Sequence, residues 1–393
     1  MTSTATAGTH FSPSAPRVWL LLGDKKGDNG QVYAIEAALG WPCEVKHIKV
    51  LERFVFGKPK VAPTLYHIDR EQSDPLEPPW PDLIITVGRR PANVALWIRE
   101  QSGGHSKIVL VGKPSGMMRH FSLIVASAET RFPVLPNVVP VSLPLMQVDA
   151  SAVAQAAEIW RERFAGLPRP LIAMMVGGPT NPFVYNRSVA RRLVEMAEDV
   201  VARGGTPYLT TSRRTPPAVV TALRAALPVE AQFFAWTPDS QGNPYLGLLG
   251  LADGFMVTGD SISMMVEVAR LRKPLAILPL PTGLLGGLDQ VRRSWARQLF
   301  APGNGSVKER LRGYLARLIY RSGIIRHTRD FRAFHQTLID HGLAVWAGQG
   351  FPPPTGEVPD DLAVVVTRIR QLLEGEVRKG GVRIKKTGVR SEE

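Results

Sequence analysis

The chain has 393 residues, 44% of them hydrophobic, a net charge of +14 and one cysteine, Cys43. That length suits two domains rather than one core. A single cysteine excludes an internal disulfide framework and a cysteine-based metal cluster and points to a reducing compartment; no apolar run reaches the roughly eighteen residues of a spanning helix.

Residues 1–16, MTSTATAGTHFSPSAP, lack the basic and apolar regions of a signal peptide and read as a disordered leader. Val18 to Leu22 is an apolar strand that runs into the glycine-rich loop GDKKGDNGQ, and a helix is expected from Gln31 to Leu39. The unit recurs with DLIITVG as strand, RRPA as loop and Asn93 to Glu100 as helix, followed by strands at Lys107 to Gly112 and Leu123 to Ser127. Short buried strands alternating with helices predict a doubly wound parallel sheet, with ligand-binding loops at the carboxyl ends of the strands. The proline-bearing stretch from Phe132 to Val148 reads as an extended approach to an interdomain connection and closes a first domain at 17–148.

A second series fills 149–345. After a helix at about Ser151 to Phe164 come the strands LIAMMVGG, PYLTTS, FFAW, GFMVTG and PLAILPL, with helices that include Ser188 to Ala202 and Pro217 to Leu227. The expected fold is α/β, two doubly wound Rossmann-like domains facing each other across a cleft. Residues 346–376 form a linker and an amphipathic helix at Asp361 to Leu373, and 377–393 a disordered basic tail.

The stretch Phe233 to Leu280 carries the strongest chemical signal. A strand ends in Thr258, Gly259 and Asp260, and a helix opens at Ser261; its unpaired N–H groups, with Ser261 or Ser263 beside them, form an anion site. Glu267 lies about 600° round and roughly 9 Å along from Ser261, within reach of a ribose whose phosphate sits at the helix start. The plainer alternative makes Ser261 a helix cap and Glu267 a solvated side chain. Gly177 and Gly178 end a buried strand where a ligand can approach the backbone, or mark a simple turn, with Thr180 just beyond. Ser212, Arg213 and Arg214 follow the next strand, and at least one arginine is expected to clamp a diphosphate. The loop after Trp236 is assigned to the base, and Trp236, Asn243, Asp260 and Met264 are counted among the donor-binding residues.

In the first domain GDKKGDNGQ matches neither G-x-G-x-x-G nor a Walker loop, which disfavours dinucleotide and P-loop readings. Gly23, Lys25, Asp28, Asn29 and Gln31, with Arg89 of the second loop, are expected to face an acceptor, and Asp24 is the candidate base for an inverting transfer. Asp28 or Asn29 as a plain helix cap is the alternative. No metal is expected, since the histidines are scattered and no D-x-D occurs; no cofactor is called for beyond a nucleotide-sugar substrate.

Charge is concentrated between Arg292 and Arg332, with eleven basic residues against Glu309 and Asp330. Leu311, Tyr314, Leu315, Leu318 and Ile319 form an apolar stripe on a helix flanked by Arg310, Arg312, Arg317 and Arg321. The stripe either packs on the domain or lies on an anionic membrane surface, which is preferred over nucleic acid as the partner of segment 288–332.

The order of strand, serine-rich turn, helix with Glu267, Lys-Pro and strand resembles the donor half of GT-B glycosyltransferases, notably the lipid-linked N-acetylglucosaminyltransferases of cell-wall synthesis. GDKKGDNGQ, PDLIITVGRR, VGGPTNPFVYN, TTSRRTPP and NPYLGLLGLADGFMVTGDSISMMVEVARLRKPLAIL together resemble the mitochondrial fission ELM family, from about Val18 to Leu280 and again from Phe331 to Gly342. The chain departs from that family at Ser127, Ala128 and Glu129, where members carry Pro-x-His-Asp, and in a longer segment from about Gly286 to Asp330. The resemblance, which includes bacterial members, implies a metal-independent transfer of a sugar from a nucleoside-diphosphate sugar to a lipid-linked or envelope glycan acceptor. It places the protein in the cytoplasm, peripheral to the inner membrane. A non-catalytic peripheral-membrane scaffold and a sugar-nucleotide epimerase are the alternatives.

Overall fold

The computed structural model describes residues 15–24, 26–54, 61–114, 116–130, 132–239, 242–283, 295–296, 298–300, 306–322 and 330–380. The expectations for residues 1–14, for Lys25, for much of segment 288–332 and for residues 381–393 lie outside them. The described residues pack as two compact units, one formed by residues up to Val125 with those from Asp360 onward, the other by Ala126–Pro359.

The first unit is built from β1 (Val18–Leu22), α1 (Lys26–Leu39), β2 (Cys43–His47), β3 (Leu83–Val87), α2 (Arg89–Gln101), β4 (Lys107–Val111) and β5 (Leu123–Ser127). The first of the two sheets runs β2-β1-β3-β4-β5, with β6 (Val138–Val141) at the edge, and the pairings of β1 to β5 are parallel. β1, β3 and β5 are buried along their whole length, which is why they read as unbroken apolar runs. The strand order reverses between β1 and β3, so the loops after these strands flank a switch point.

Two helices begin earlier than expected. α1 starts at Lys26 rather than Gln31, taking in Gly27 and Gly30 at about 1 kcal/mol each relative to alanine. Burial of Val32, Ile35 and Leu39 offsets that cost. Neither Asp28 nor Asn29 therefore caps the helix: Asp28 lies in its first turn, and Asn29 Nδ2 donates to the Gly23 carbonyl at 2.8 Å. α2 starts at Arg89 rather than Asn93, because Gly88 adopts a φ of 84° and Pro91 falls in the first turn, where no intrahelical N–H is needed. The stretch expected to be a linker contains β6, whose Pro140 is exposed, as an edge strand allows.

The second unit contains α3 (Ala150–Ala165), β7 (Leu171–Val176), α4 (Arg187–Ala202), β8 (Thr206–Thr211), α5 (Pro217–Ala226), β9 (Gln232–Phe234), α6 (Tyr245–Leu251), β10 (Gly254–Thr258), α7 (Ile262–Arg270), β11 (Leu275–Leu278), α8 (Val307–Ser322), α9 (Phe331–Asp340) and β12 (Val345–Trp346). Its parallel sheet runs β12-β11-β10-β7-β8-β9. Alternate residues of β7 feed two cores: Leu171, Ala173 and Met175 pack with Phe164, Leu248, Val266 and Phe334, while Ile172, Met174 and Val176 pack with Val189, Leu193 and Leu223. The order reverses between β7 and β10, which places the ends of these two strands at the switch point of this unit.

After the second unit the chain forms α10 (Leu362–Gly380), which belongs to the first unit and packs on α1 through the fully buried Val365 and Ile369. Arg370 donates to the carbonyl of Leu39 at 3.1 Å, satisfying an orphan acceptor at the end of α1.

Candidate functional site

At the carboxyl ends of β7 and β10 the side chains converge on Asp260. Its carboxylate is buried and accepts hydrogen bonds from the Gly178 N–H (3.0 Å), the Tyr185 hydroxyl (2.5 Å) and the Thr258 hydroxyl (2.9 Å). Arg214 brings Nη2 to 3.3 Å from it and donates through Nη1 to the Thr180 hydroxyl. A buried carboxylate needs such company, since an unpaired charge there costs several kcal/mol. Arg214 is thereby oriented while its side chain stays 46% exposed.

This network corrects the reading of the two glycines. A Cβ on Gly177 would collide with Ser261 Oγ and the Asp260 carboxylate, and one on Gly178 with the Arg214 carbonyl. The space that glycine leaves here is filled by the protein's own groups rather than left open for a ligand. The Gly177 N–H donates to Thr258 Oγ1 at 2.8 Å, and its carbonyl accepts from the Thr215 hydroxyl at 2.5 Å. Thr215 Oγ1 also accepts the Ser212 N–H at 2.9 Å, which folds the loop carrying Arg214 back onto β7.

Ser261 stands at the N-cap position of α7 but makes no side-chain capping bond. It is 2% exposed, and its hydroxyl turns back to Asp260 Oδ2 at 3.4 Å, so it presents no side chain at the helix start. Ser263 is exposed and Met264 half-buried. The backbone N–H groups of Ile262, Ser263 and Met264 have no partner among the described residues. Behind them His335 Nε2 lies 2.7 Å from the Gly259 carbonyl, an acceptor that requires the Nε2–H tautomer. Burial lowers the His335 pKa to about 4, against smaller raising effects of that carbonyl and of Asp330.

Glu267 is not a solvated face residue. It sits four positions after Ser263, hence on the same face of α7 one turn further on. The Tyr245 hydroxyl donates to its Oε2, and its Oε1 takes no partner among the described residues. Burial raises the Glu267 pKa above the ordinary carboxylate value, opposed by the Tyr245 bond. The Tyr245 phenol is pushed well up, by burial first and then by the charge of Glu267.

The remaining candidates of this unit are more peripheral. Arg213 is exposed and takes no part in the Asp260 network. Trp236 is half-buried and its backbone N–H donates to Thr211 Oγ1 at 2.9 Å, and Asn243 is exposed, its Oδ1 accepting the backbone N–H of Tyr245 at 3.0 Å. A cavity of about 310 Å³ lies at the other end of the sheet, lined by Pro170, Ile172 and Asp253 at the amino ends of β7 and β10 and by Met256 and Phe351.

In the first unit the switch-point loops touch each other: a Cβ on Gly23 would press on Pro91 at 3.3 Å. Asp24 is exposed, with Lys49 Nζ at 3.5 Å. Gln31 lies in the second turn of α1, and Arg89 opens α2 with its pKa lowered by desolvation and then by Arg90. Burial raises the Cys43 pKa to about 11, which keeps this thiol uncharged.

Sequence reasoning did not single out Tyr185, Thr215, Tyr245, Thr258 or His335. Tyr185 and Tyr245 stand inside the motifs VGGPTNPFVYN and NPYLGLLG, but their partners are 75 and 22 residues away along the chain.

The match to the family described as Mitochondrial fission ELM1 spans residues 26–294, more than half of the chain. The mitochondrial fission protein ELM1 of Arabidopsis thaliana is 25% identical over 220 residues, covering 50% of this chain and 51% of that protein. The chain thus spans about half the length of that relative. An uncharacterized protein of Rickettsia prowazekii is 23% identical over 300 residues, covering 67% of this chain and 83% of the relative. Among solved structures, a glycosyltransferase from Rickettsia africae overlaps 92% of this chain and 99% of its own at 10% identity, with a TM-score of 0.45. From the extent of the family match, the chain belongs to the mitochondrial fission ELM1 family.

Proposed function

We propose that the chain is a glycosyltransferase that moves a sugar from a nucleoside-diphosphate sugar to a lipid-linked or envelope glycan acceptor. The observation that carries this reading is the arrangement at the switch point of the second unit. Three N–H groups without a partner among the described residues open α7, an arginine is anchored by Asp260, and one turn below Ser263 a glutamate has a carboxylate oxygen that no described residue occupies. Such a set takes a diphosphate at the helix start and a ribose hydroxyl at Glu267. Ser263 rather than Ser261 supplies the hydroxyl at the helix start, since Ser261 is turned inward. The loop after Trp236 is assigned to the base.

In the reaction an acceptor hydroxyl oxygen bonds to the anomeric carbon as the bond from that carbon to the phosphate oxygen breaks. The electron pair leaves with the nucleoside diphosphate, whose charge Arg214 and the α7 amides stabilise. For an inverting transfer the first unit's candidate acceptor of the hydroxyl proton is Asp24, exposed after β1. A lipid-linked acceptor places the work at a membrane surface. No described helix is long and apolar enough to cross a membrane.

Calorimetric titration with UDP-, GDP-, CMP- and ADP-sugars tests the proposal. One donor class is expected to bind, and Glu267→Ala to weaken it by about 10- to 100-fold, the scale of hydrogen bonds to a charged group. No binding to any donor, or equal binding by the variant, overturns the reading. A second reading, a non-catalytic scaffold, is favoured by one finding: the Arabidopsis relative is a mitochondrial fission protein. It predicts a phenotype unchanged by Glu267→Ala, and donor turnover without any acceptor would instead indicate an epimerase.

A further inference from the structure

We infer that the outer face of α8 is a membrane-seating surface that takes anionic lipid. This goes beyond the sugar-transfer reading and stands without it. Leu311, Tyr314, Leu315 and Leu318 are 61%, 55%, 46% and 42% exposed. At about 100° per residue their spacing gathers them within a single stripe about 100° wide. The opposite side of the helix is the one the protein uses: Ala316 is 1% exposed and packs with Ala296 and Phe300, and Tyr320 meets the rings of Phe300 and Phe132 at 6.0 Å. α8 is therefore held by its small and aromatic side and turns its leucines outward.

Three further features identify the occupant. First, the exposure is concentrated: of the twelve large hydrophobic side chains that are exposed among the described residues, five fall in this segment, the fifth being Trp295 at 65%. Isolated exposed apolar residues are ordinary, whereas a contiguous set of this kind marks a contact surface. Second, the charge is arranged in borders. Arg310 and Arg317 fall along one edge of the stripe, and Lys308 and Arg312 along the other. The helix sequence carries five basic residues against Glu309. Third, the stripe includes Tyr314, a ring whose apolar body and polar edge suit the headgroup boundary, and Trp295, in the segment that packs on α8, is 65% exposed. A leucine stripe bordered on both sides by cations complements a surface that is apolar within and anionic at its rim, which is an acidic bilayer. Nucleic acid would use the arginines alone, while the bilayer uses leucines and arginines from one direction.

Flotation of the full chain with phosphatidylglycerol–phosphatidylcholine vesicles, beside vesicles of phosphatidylcholine alone, tests this. Co-flotation is expected with the anionic vesicles and loss of most of it at high salt. The double variant Leu311→Ser/Leu315→Ser alters only exposed side chains and is expected to lower partitioning by about tenfold or more, and Arg310→Glu/Arg317→Glu to do the same. A thermal melt that matches the parent shows each variant to be folded; a tryptophan blue shift on vesicle addition, lost in Trp295→Ala, is the second readout. No flotation, or flotation unchanged in both double variants, overturns the inference. So does self-association that the leucine variant abolishes without any vesicle binding, and so does duplex binding that the arginine variant abolishes while vesicles are ignored. Donor titration is unaffected by either variant, which keeps failure here separate from failure of the sugar-transfer proposal.

Discussion

Glu267 illustrates how a single side chain is tuned by its neighbours. Burial alone would favour the neutral acid, but the Tyr245 hydroxyl donates to one oxygen and stabilises the charged form, holding the carboxylate in one orientation. Tyr245→Phe deletes that donor with little change of volume. Donor affinity is expected to fall by a few-fold to about tenfold, the scale of one hydrogen bond, without loss of the folded state. Calorimetry beside a thermal melt checks it; unchanged affinity would show that Tyr245 does not position Glu267. His335 gives a pH dependence of stability. Its pKa falls from 6.5 to about 4 on folding, so its contribution is full above the unfolded value and is lost as pH falls through the window between the two. That difference amounts to about 3 kcal/mol. Denaturant unfolding of the parent at several pH values between 6.5 and 4 is expected to be steeper in pH than that of His335→Gln, and parallel curves would show that the imidazole is not the sensor.

At the scale of elements, the switch point works because β7, β10 and the loop after β8 come within contact distance of one another. Gly178 makes this possible, since an added methyl group would meet the carbonyl of Arg214, a backbone atom that cannot swing aside. Gly178→Ala is expected to destabilise the second unit by about 1–3 kcal/mol, the cost of overpacking, and to weaken donor binding by displacing Arg214. A melting temperature equal to that of the parent would show that the loop yields. The early start of α1 and α2 was not visible in the sequence, because glycine and proline are ordinarily helix breakers. At these positions burial of Val32, Ile35 and Leu39 outweighs the glycine cost, and Pro91 sits where the first turn tolerates it.

Across the whole molecule, segments far apart in the chain are linked. α10 comes after the second unit in sequence yet buries Val365 and Ile369 on the first, so the first unit cannot finish folding until the last described helix is made. Truncation after Pro359 exposes the surface of α1 that these residues cover. Calorimetry of the truncated chain is expected to show a transition of the first unit lowered well below that of the second, whereas a uniform shift or none would show that α10 is dispensable to it. The alternation of buried five- and six-residue strands with amphipathic helices, and with it two doubly wound sheets, could be read directly, because strand burial and helix periodicity are local properties of the chain. So could the Ser-rich turn and the glutamate on the following helix, which lie within one short segment. The sequence could not show that Asp260 holds Arg214 across 46 positions, that Tyr245 holds Glu267, that Ser261 turns inward, or that α8 rests on Ala316 and leaves its leucines outside. Periodicity identifies an apolar face but not what covers it, and a hydrogen bond between distant residues exists only once packing has brought them together.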